Sequence, residues 1–177
     1  DVMPAGMSQD QYVDYCLWYL DNHIPHSMVP RDNIAAIMVE PGLAEGGNWI
    51  PPSNFLQGIR KICDKNDWLM ISDEVLTGLG RTGKMWGIEH YDVVPDILVV
   101  GKNLSGGIEP CAGIAARDDI LGDNDEFSSG STFAGTPAGC AAGIKTLELY
   151  ERYNLVENAA RLGRVAHEIL DEDPLML

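Results

Sequence analysis

WLMISDEVLTGLGRTGKMWGIEHYDVVPDILVVGK, residues 68–102, holds two short apolar runs, each of which delivers one ionisable residue to its end. Trp68-Leu69-Met70-Ile71 runs into Asp73, and Ile97-Leu98-Val99-Val100 runs into Lys102. Continuous apolar runs of this length, bounded by polar residues and glycine, read as strands buried on both faces. In an open parallel sheet the ligand crevice lies beyond the carboxyl ends of such strands. A carboxylate and a primary amine are therefore expected in one crevice, with the lysine half desolvated.

Desolvation disfavours an ammonium ion, so a lysine in that place can become a neutral amine near pH 7 and form a Schiff base with a carbonyl. An aspartate facing a ring nitrogen keeps that nitrogen protonated and makes the ring an electron sink. These are the two protein groups that pyridoxal phosphate chemistry requires. Acids and lysines at strand ends are more often merely solvated, and spacing alone leaves that reading open.

The wider pattern adds weight. Asp73-Glu74-Val75, Thr77-Gly78-Leu79-Gly80-Arg81-Thr82-Gly83 and Pro95-Asp96-Ile97 leading to Gly101-Lys102 resemble the signature of the class III aminotransferases, pyridoxal phosphate enzymes of fold type I. Glu40-Pro41 and Glu45-Gly46-Gly47 upstream, and Gly130-Ser131-Thr132-Phe133 with Pro137 downstream, extend the resemblance over most of the chain.

The 177 residues, 45% hydrophobic and 22% charged, suffice for one core, and one domain is expected. A net charge of -15, from 12 Lys+Arg and 27 Asp+Glu, repels phosphate backbones and anionic membranes, so neither nucleic acid nor membrane is an expected partner. The acids are scattered, as on a solubilising surface. Cys16, Cys63, Cys111 and Cys140 show neither CxxC nor metal spacing and read as small core residues, so no metal is expected. With no membrane-length apolar run and no leader, the chain reads as cytoplasmic. It begins at Asp1, and a piece of something longer is expected.

Along the chain, Ser8 and Gln11 form a capping box for a surface helix that runs to about Asn22, with Pro25 and Pro30 expected to break it. Ile34 to Val39 is a short buried strand ending in Glu40-Pro41, followed by a Gly-rich loop from Gly42 to Asn48. Ser53 is expected to cap a helix whose apolar face is Phe55, Leu56, Ile59, Ile62 and Cys63. Strand, loop, helix, strand is a βαβ unit, hence a parallel sheet. Gly106-Gly107 turn the chain into a further strand, 112–116, whose small residues imply close packing. Asp118 to Asp125 and Ser128 to Gly135 read as loops. Thr136-Pro137 opens a helix from Ala138 to Tyr150 that packs on the sheet, and Asn158 to Asp171 is another.

Two other classes deserve weighing. Gly78 to Lys84 fits the Gly-x-x-x-x-Gly-Lys half of a nucleotide-binding P-loop, but Met85 stands where a magnesium-binding hydroxyl belongs, and no helix follows. A scaffold without activity is the other, and the joint presence of Asp73, Lys102 and Thr132 argues against it.

The resemblance implies specific roles. Lys102 would form the Schiff base with pyridoxal phosphate and move the proton as general base, Asp73 would pair with the pyridinium nitrogen, and Val75 would pack on a ring face. Thr132 would bind the cofactor phosphate of a neighbouring subunit, making a homodimer with shared sites. Glu45 corresponds to a substrate-binding glutamate of relatives acting on ω-amino acids. Three departures bear on substrate: Leu76 where many ornithine- and aminobutyrate-type relatives have glutamine, Gly42-Leu43-Ala44 in place of Val-Gln-Gly, and the charge in Ile108-Glu109-Pro110.

The expected fold is thus α/β, a three-layer αβα sandwich on a mainly parallel sheet. Residues 1–155 would be a partial cofactor-binding large domain, and 156–177 a helix leading toward a C-terminal small domain. The expected reaction is ping-pong transfer of an amino group from an amine or ω-amino acid to a 2-oxo acid such as pyruvate or 2-oxoglutarate. A racemase or epimerase using the same lysine is the alternative, and the isolated chain is expected to bind cofactor weakly and to be poorly active.

Overall fold

The computed structural model describes residues 3–121 and 132–171. At its centre is a four-stranded sheet in the order β1 (Ala36–Val39), β2 (Leu69–Asp73), β3 (Ile97–Val100), β4 (Gly113–Ala116). The first three strands are parallel and β4 is antiparallel to β3, so the α/β, mainly parallel expectation is met. Register is set by side-chain alternation: Ile37 lies opposite Met70 and Val39 opposite Ser72. One face therefore presents Ile37, Val39, Met70 and Leu98 to a helix.

That helix is α3 (Ser53–Asn66), and its apolar stripe Leu56, Ile59, Ile62 and Cys63 is buried. Together with Trp68, Met70, Ile88, Tyr91 and Val93 these side chains form the core. Burial pushes the Cys63 thiol up to about 11, which keeps it a protonated core residue at neutral pH. Cys140, by contrast, is exposed, because it lies on an outward face of its helix. Ser53 is the first helical residue and caps nothing; Pro52 occupies the cap position, and no side chain accepts there. At the far end Asp67 turns left-handed at φ 57 and sends the chain into β2.

Full burial of the strands on both faces is not observed. Met38 is 56% exposed and Ile114 54%, both on the face away from α3. β4 also lacks the close packing expected of its small residues, since Gly113, Ile114 and Ala115 are exposed. The apolar runs reported strand type correctly, but only neighbouring elements decide how many faces are covered.

The N-terminal helix opens on the expected capping box: Gln11 N–H donates to Ser8 Oγ, and Ser8 N–H to the Gln11 side chain. Pro25 does not break it. α1 (Gln9–Trp18) passes into a π-helical turn, Tyr19–His23, and continues as α2 (Ile24–Ser27) with Pro25 buried in its first turn. A proline ring clashes with the carbonyl four residues back and offers no N–H. The widened turn accommodates both, Ile24 N–H reaching back to Tyr19 O.

The β2–β3 crossover contains only a short 3-10 segment, Gly87–Tyr91. A buried carboxylate, Asp96, closes its far end by accepting from Met70 N–H at 2.7 Å, Arg60 at 2.7 Å and Arg117 at 2.6 Å. Burial pushes Asp96 up, but the Met70 N–H and the two guanidiniums outweigh it and hold the carboxyl below its ordinary range. A depressed carboxylate contributes stability that is present above about pH 4 and lost as pH falls through the lower folded value. Asp96→Asn is therefore expected to lose about 2–3 kcal/mol at neutral pH and to show a shallower acid limb. Urea unfolding at a series of pH values reads both; an acid limb as steep as that of the native chain would contradict the assignment.

After β4 the short α4 (Asp118–Leu121) replaces the start of the expected acidic loop. The rest of that loop, and residues 128–131 of the next, lie outside the described residues. α5 (Pro137–Tyr153) starts as expected, with Gly139 N–H donating to the Thr136 hydroxyl at 3.3 Å. Its main neighbour is the turn after β3 rather than the strands themselves. Asn154, left-handed at φ 48, joins it to the amphipathic α6 (Leu155–Asp171).

Candidate active site

The carboxyl ends of β1, β2 and β3 converge on one rim. Asp73 closes β2, half-buried, and its Oδ1 accepts from Val75 N–H at 3.0 Å. It lines a cavity of about 660 Å³ whose other walls include Tyr12, Met38, Trp49, Pro51 and Phe55. Glu40, at the end of β1, is the second carboxylate on this wall; it accepts from Ala44 N–H at 3.0 Å and so turns the loop after β1. An apolar slot with a carboxylate at its edge suits a flat aromatic ring carrying a basic nitrogen.

On the next strand, Asp73 pairs with Val99, three residues before Lys102. Lys102 opens a 3-10 turn, Lys102–Ser105, at φ 45. Val75, two residues after Asp73, has its methyls 3.6 Å from where a Cβ on Gly101, the neighbour of Lys102, would be. The half-desolvated lysine expected from the sequence is not observed: Lys102 is exposed. Glu45 is also exposed, in a loop closed by the Leu43–Trp49 bridge; Leu43, Gly46 and Trp49 of that loop line the cavity and Glu45 does not. Thr132 is exposed and lies outside the cavity wall. The structure thus brings Asp73, Val75 and Lys102 to adjacent strand ends, while Glu45 and Thr132 are exposed and do not line the cavity.

Two residues outside the sequence reading's candidate site organise this rim. Glu74 is 2% exposed and accepts from Ser72 Oγ at 3.3 Å, Thr77 Oγ1 at 2.6 Å, Gly87 N–H at 2.8 Å and Ile88 N–H at 2.8 Å. Arg81 donates to Asn103 Oδ1 at 2.8 Å, one residue beyond Lys102. An acid directly after a strand-end aspartate was the only sequence signal for the first, and its inward direction follows from period-two alternation.

The glycines of residues 78–83 are used for packing. A Cβ on Gly83 would lie 2.9 Å from Ala160 Cα, and one on Gly80 would meet Tyr150 and Val156 of the α5–α6 pair. Their N–H groups are spent internally: Gly78 donates to Glu74 O, Gly80 to Met85 O and Gly83 to Gly80 O. Lys84 is bonded to Glu89 O. A phosphate cradle needs those donors free, so the P-loop reading does not fit this loop.

Comparison with known proteins matches the model for aminotransferase class III over residues 5–173. The chain belongs to the class III aminotransferase family. It is 40% identical over 142 residues to the mitochondrial ornithine aminotransferase of Rattus norvegicus, covering 80% of this chain and 32% of that one. To the probable 4-aminobutyrate aminotransferase of Bacillus subtilis it is 34% identical over 165 residues, 93% of this chain and 37% of that protein. Among solved structures, the omega transaminase of Pseudomonas jessenii in complex with PMP superposes with a TM-score of 0.85 at 32% identity, covering 96% of this chain and 39% of that one. The class III chain described here therefore spans roughly a third to two fifths of the length of these relatives. No described helix is long and apolar enough to cross a membrane.

Proposed function

We propose that this class III chain forms part of the cofactor site of an enzyme that moves an amino group from an amine or ω-amino acid to a 2-oxo acid such as pyruvate or 2-oxoglutarate. The observation that carries the reading is the placement of Asp73 and Lys102 at the ends of adjacent parallel strands, with Val75 against Gly101 beside them. When bound, pyridoxal phosphate supplies the carbonyl that receives the amino group and the ring that takes up the electron pair left when the substrate C–H bond breaks. Asp73 would hold the ring nitrogen protonated, and Val75 would pack against the ring. Lys102 Nζ would be the amine that holds the cofactor covalently, and as a base it would carry the substrate's proton. Thr132 would serve the phosphate of a second copy, which makes the homodimer part of this reading, and Glu45 would meet substrate from the loop beside the cavity. Residues 1–155 are then part of the large domain and 156–177 lead out of it. The aminotransferase relatives speak for amino transfer over racemisation, and four free cysteines fit a cytoplasmic setting.

Incubation with pyridoxal phosphate, borohydride reduction and peptide mass mapping tests this directly. One dominant adduct on Lys102 is expected, absent in Lys102→Ala and not transferred to Lys84. Labelling spread evenly over several lysines would count against Lys102 as the covalent residue.

A further inference from the structure

Lys102 sits in a backbone conformation that L-residues other than glycine and asparagine adopt rarely, φ 45. Such a conformation persists only where the surroundings over-determine it. The turn that carries it is closed by two backbone bonds, Leu104 N–H to Gly101 O at 3.1 Å and Gly106 N–H to Asn103 O at 2.9 Å. On its inner side α5 approaches closely, a Cβ on Gly143 lying 3.5 Å from Leu104 O, and the buried Ser105 hydroxyl donates to Glu109 O. A side-chain clamp comes from Arg81, whose Nη2 donates to Asn103 Oδ1 at 2.8 Å. In a chain with 27 carboxylates this guanidinium pairs with none of the described ones and donates to a neutral amide instead. Its own loop is braced by Gly80 N–H to Met85 O and by α6 against Gly83. The donor is thus presented from a supported position.

We propose that Arg81 is a positioning residue for Lys102: by holding the Asn103 side chain it keeps the Lys102–Ser105 turn wound and so aims the lysine amine at the rim that Asp73 shares. The proposal rests on the reading of Lys102 as the covalent residue, and it assigns Arg81 no contact with substrate or cofactor. Removing the clamp frees the turn to relax toward an ordinary φ at Lys102, which swings the amine without unfolding the sheet.

The test uses two readouts on the whole chain. Amide exchange at Leu104 and Gly106 reports the turn without any cofactor, and the fraction of borohydride-trapped pyridoxyl adduct found on Lys102 reports the aim of its amine. Arg81→Ala is expected to speed exchange at both amides about fivefold, in keeping with one charge-assisted but exposed bond, to leave exchange in β2 and α3 unchanged, and to lower the trapped fraction on Lys102 in step. Asn103→Leu should do the same, the double variant should be no worse than either single one, and Asn103→Asp, which keeps an acceptor, should keep the turn protected. Unchanged exchange in Arg81→Ala would overturn the clamp. Faster exchange with an undiminished Lys102 adduct would overturn the positioning role and leave only a structural bond. Faster exchange in Arg81→Ala with native-chain adducts found on other lysines and none on Lys102 would instead overturn the covalent reading on which the role depends.

Discussion

Glu74→Gln is expected to lower the unfolding free energy by about 2–4 kcal/mol although it changes one atom. Both oxygens of Glu74 are used as acceptors: Oε1 takes Ile88 N–H and the Ser72 hydroxyl, Oε2 takes Gly87 N–H and the Thr77 hydroxyl. A glutamine has one carbonyl oxygen and one NH2 group. Whichever way the amide is turned, a donor then faces a backbone N–H, and either Gly87 or Ile88 is left unsatisfied in a buried site. Glu74→Ala removes all four bonds and opens a cavity, so its loss should be larger, about 3–5 kcal/mol. Urea unfolding reads both variants, and a glutamine variant within about 0.5 kcal/mol of the native chain would show that the carboxylate is not needed. A second readout is independent of stability. Tyr91 titrates above its ordinary value because of burial and, after that, the Glu74 charge, so Glu74→Gln should move the phenol back down without abolishing the shift. The functional consequence follows from alternation along the strand: Ser72 and Glu74 point into the core, and their anchoring turns Asp73 to the opposite side, toward the cavity.

The second large effect is expected at Gly83. Its φ of +83 already disfavours any side chain, and a Cβ there would lie 2.9 Å from both Ala160 Cα and Ala160 Cβ. The obstacle is helix backbone, which cannot rotate aside as a flexible side chain would. Gly83→Ala should therefore displace α6 and lose about 2–4 kcal/mol in the docking of that helix. Amide exchange along α6 is the measurement of choice, because the core around Leu56 and Met70 is remote from the contact and should keep its protection. Native-like exchange in α6 would mean that the loop and helix part easily, and that the glycine has some other reason to be there.

Much of the architecture was legible from residue pattern alone. The apolar runs before Asp73 and Lys102, the amphipathic stripe of α3 and the Thr136-Pro137 opening of α5 are local signals, and local geometry is what a short sequence pattern encodes. So were the two groups at the strand ends, since alternation and parallel pairing place them from sequence position. Ser53 and Pro25 mark where local rules fall short. A serine near a helix start is a cap only if the backbone leaves the helix at that residue, and a proline breaks a helix only if a wider turn does not absorb it.

What tertiary structure alone decided is how distant segments meet. Period and spacing show that Asp96 follows a crossover, but not that Arg60, Met70 and Arg117 converge on it from three elements. Met85 already argues from sequence against a phosphate-binding loop at Gly78 to Lys84, but only the packing of α5 and α6 shows what its glycines are for: clearance for those helices, with the glycine N–H groups bonded internally. That Arg81 donates to Asn103 is likewise visible only once the turn after β3 brings Asn103 within its reach. Covalent neighbours and side-chain period thus determined the strands, the α3 helix and the strand-end positions of Asp73 and Lys102, because those depend on the chain's own dihedrals. The roles of Glu74, Arg81 and the glycine loop were decided by folding, because a hydrogen-bond partner or a steric limit exists only once residues far apart in sequence share the same few ångströms.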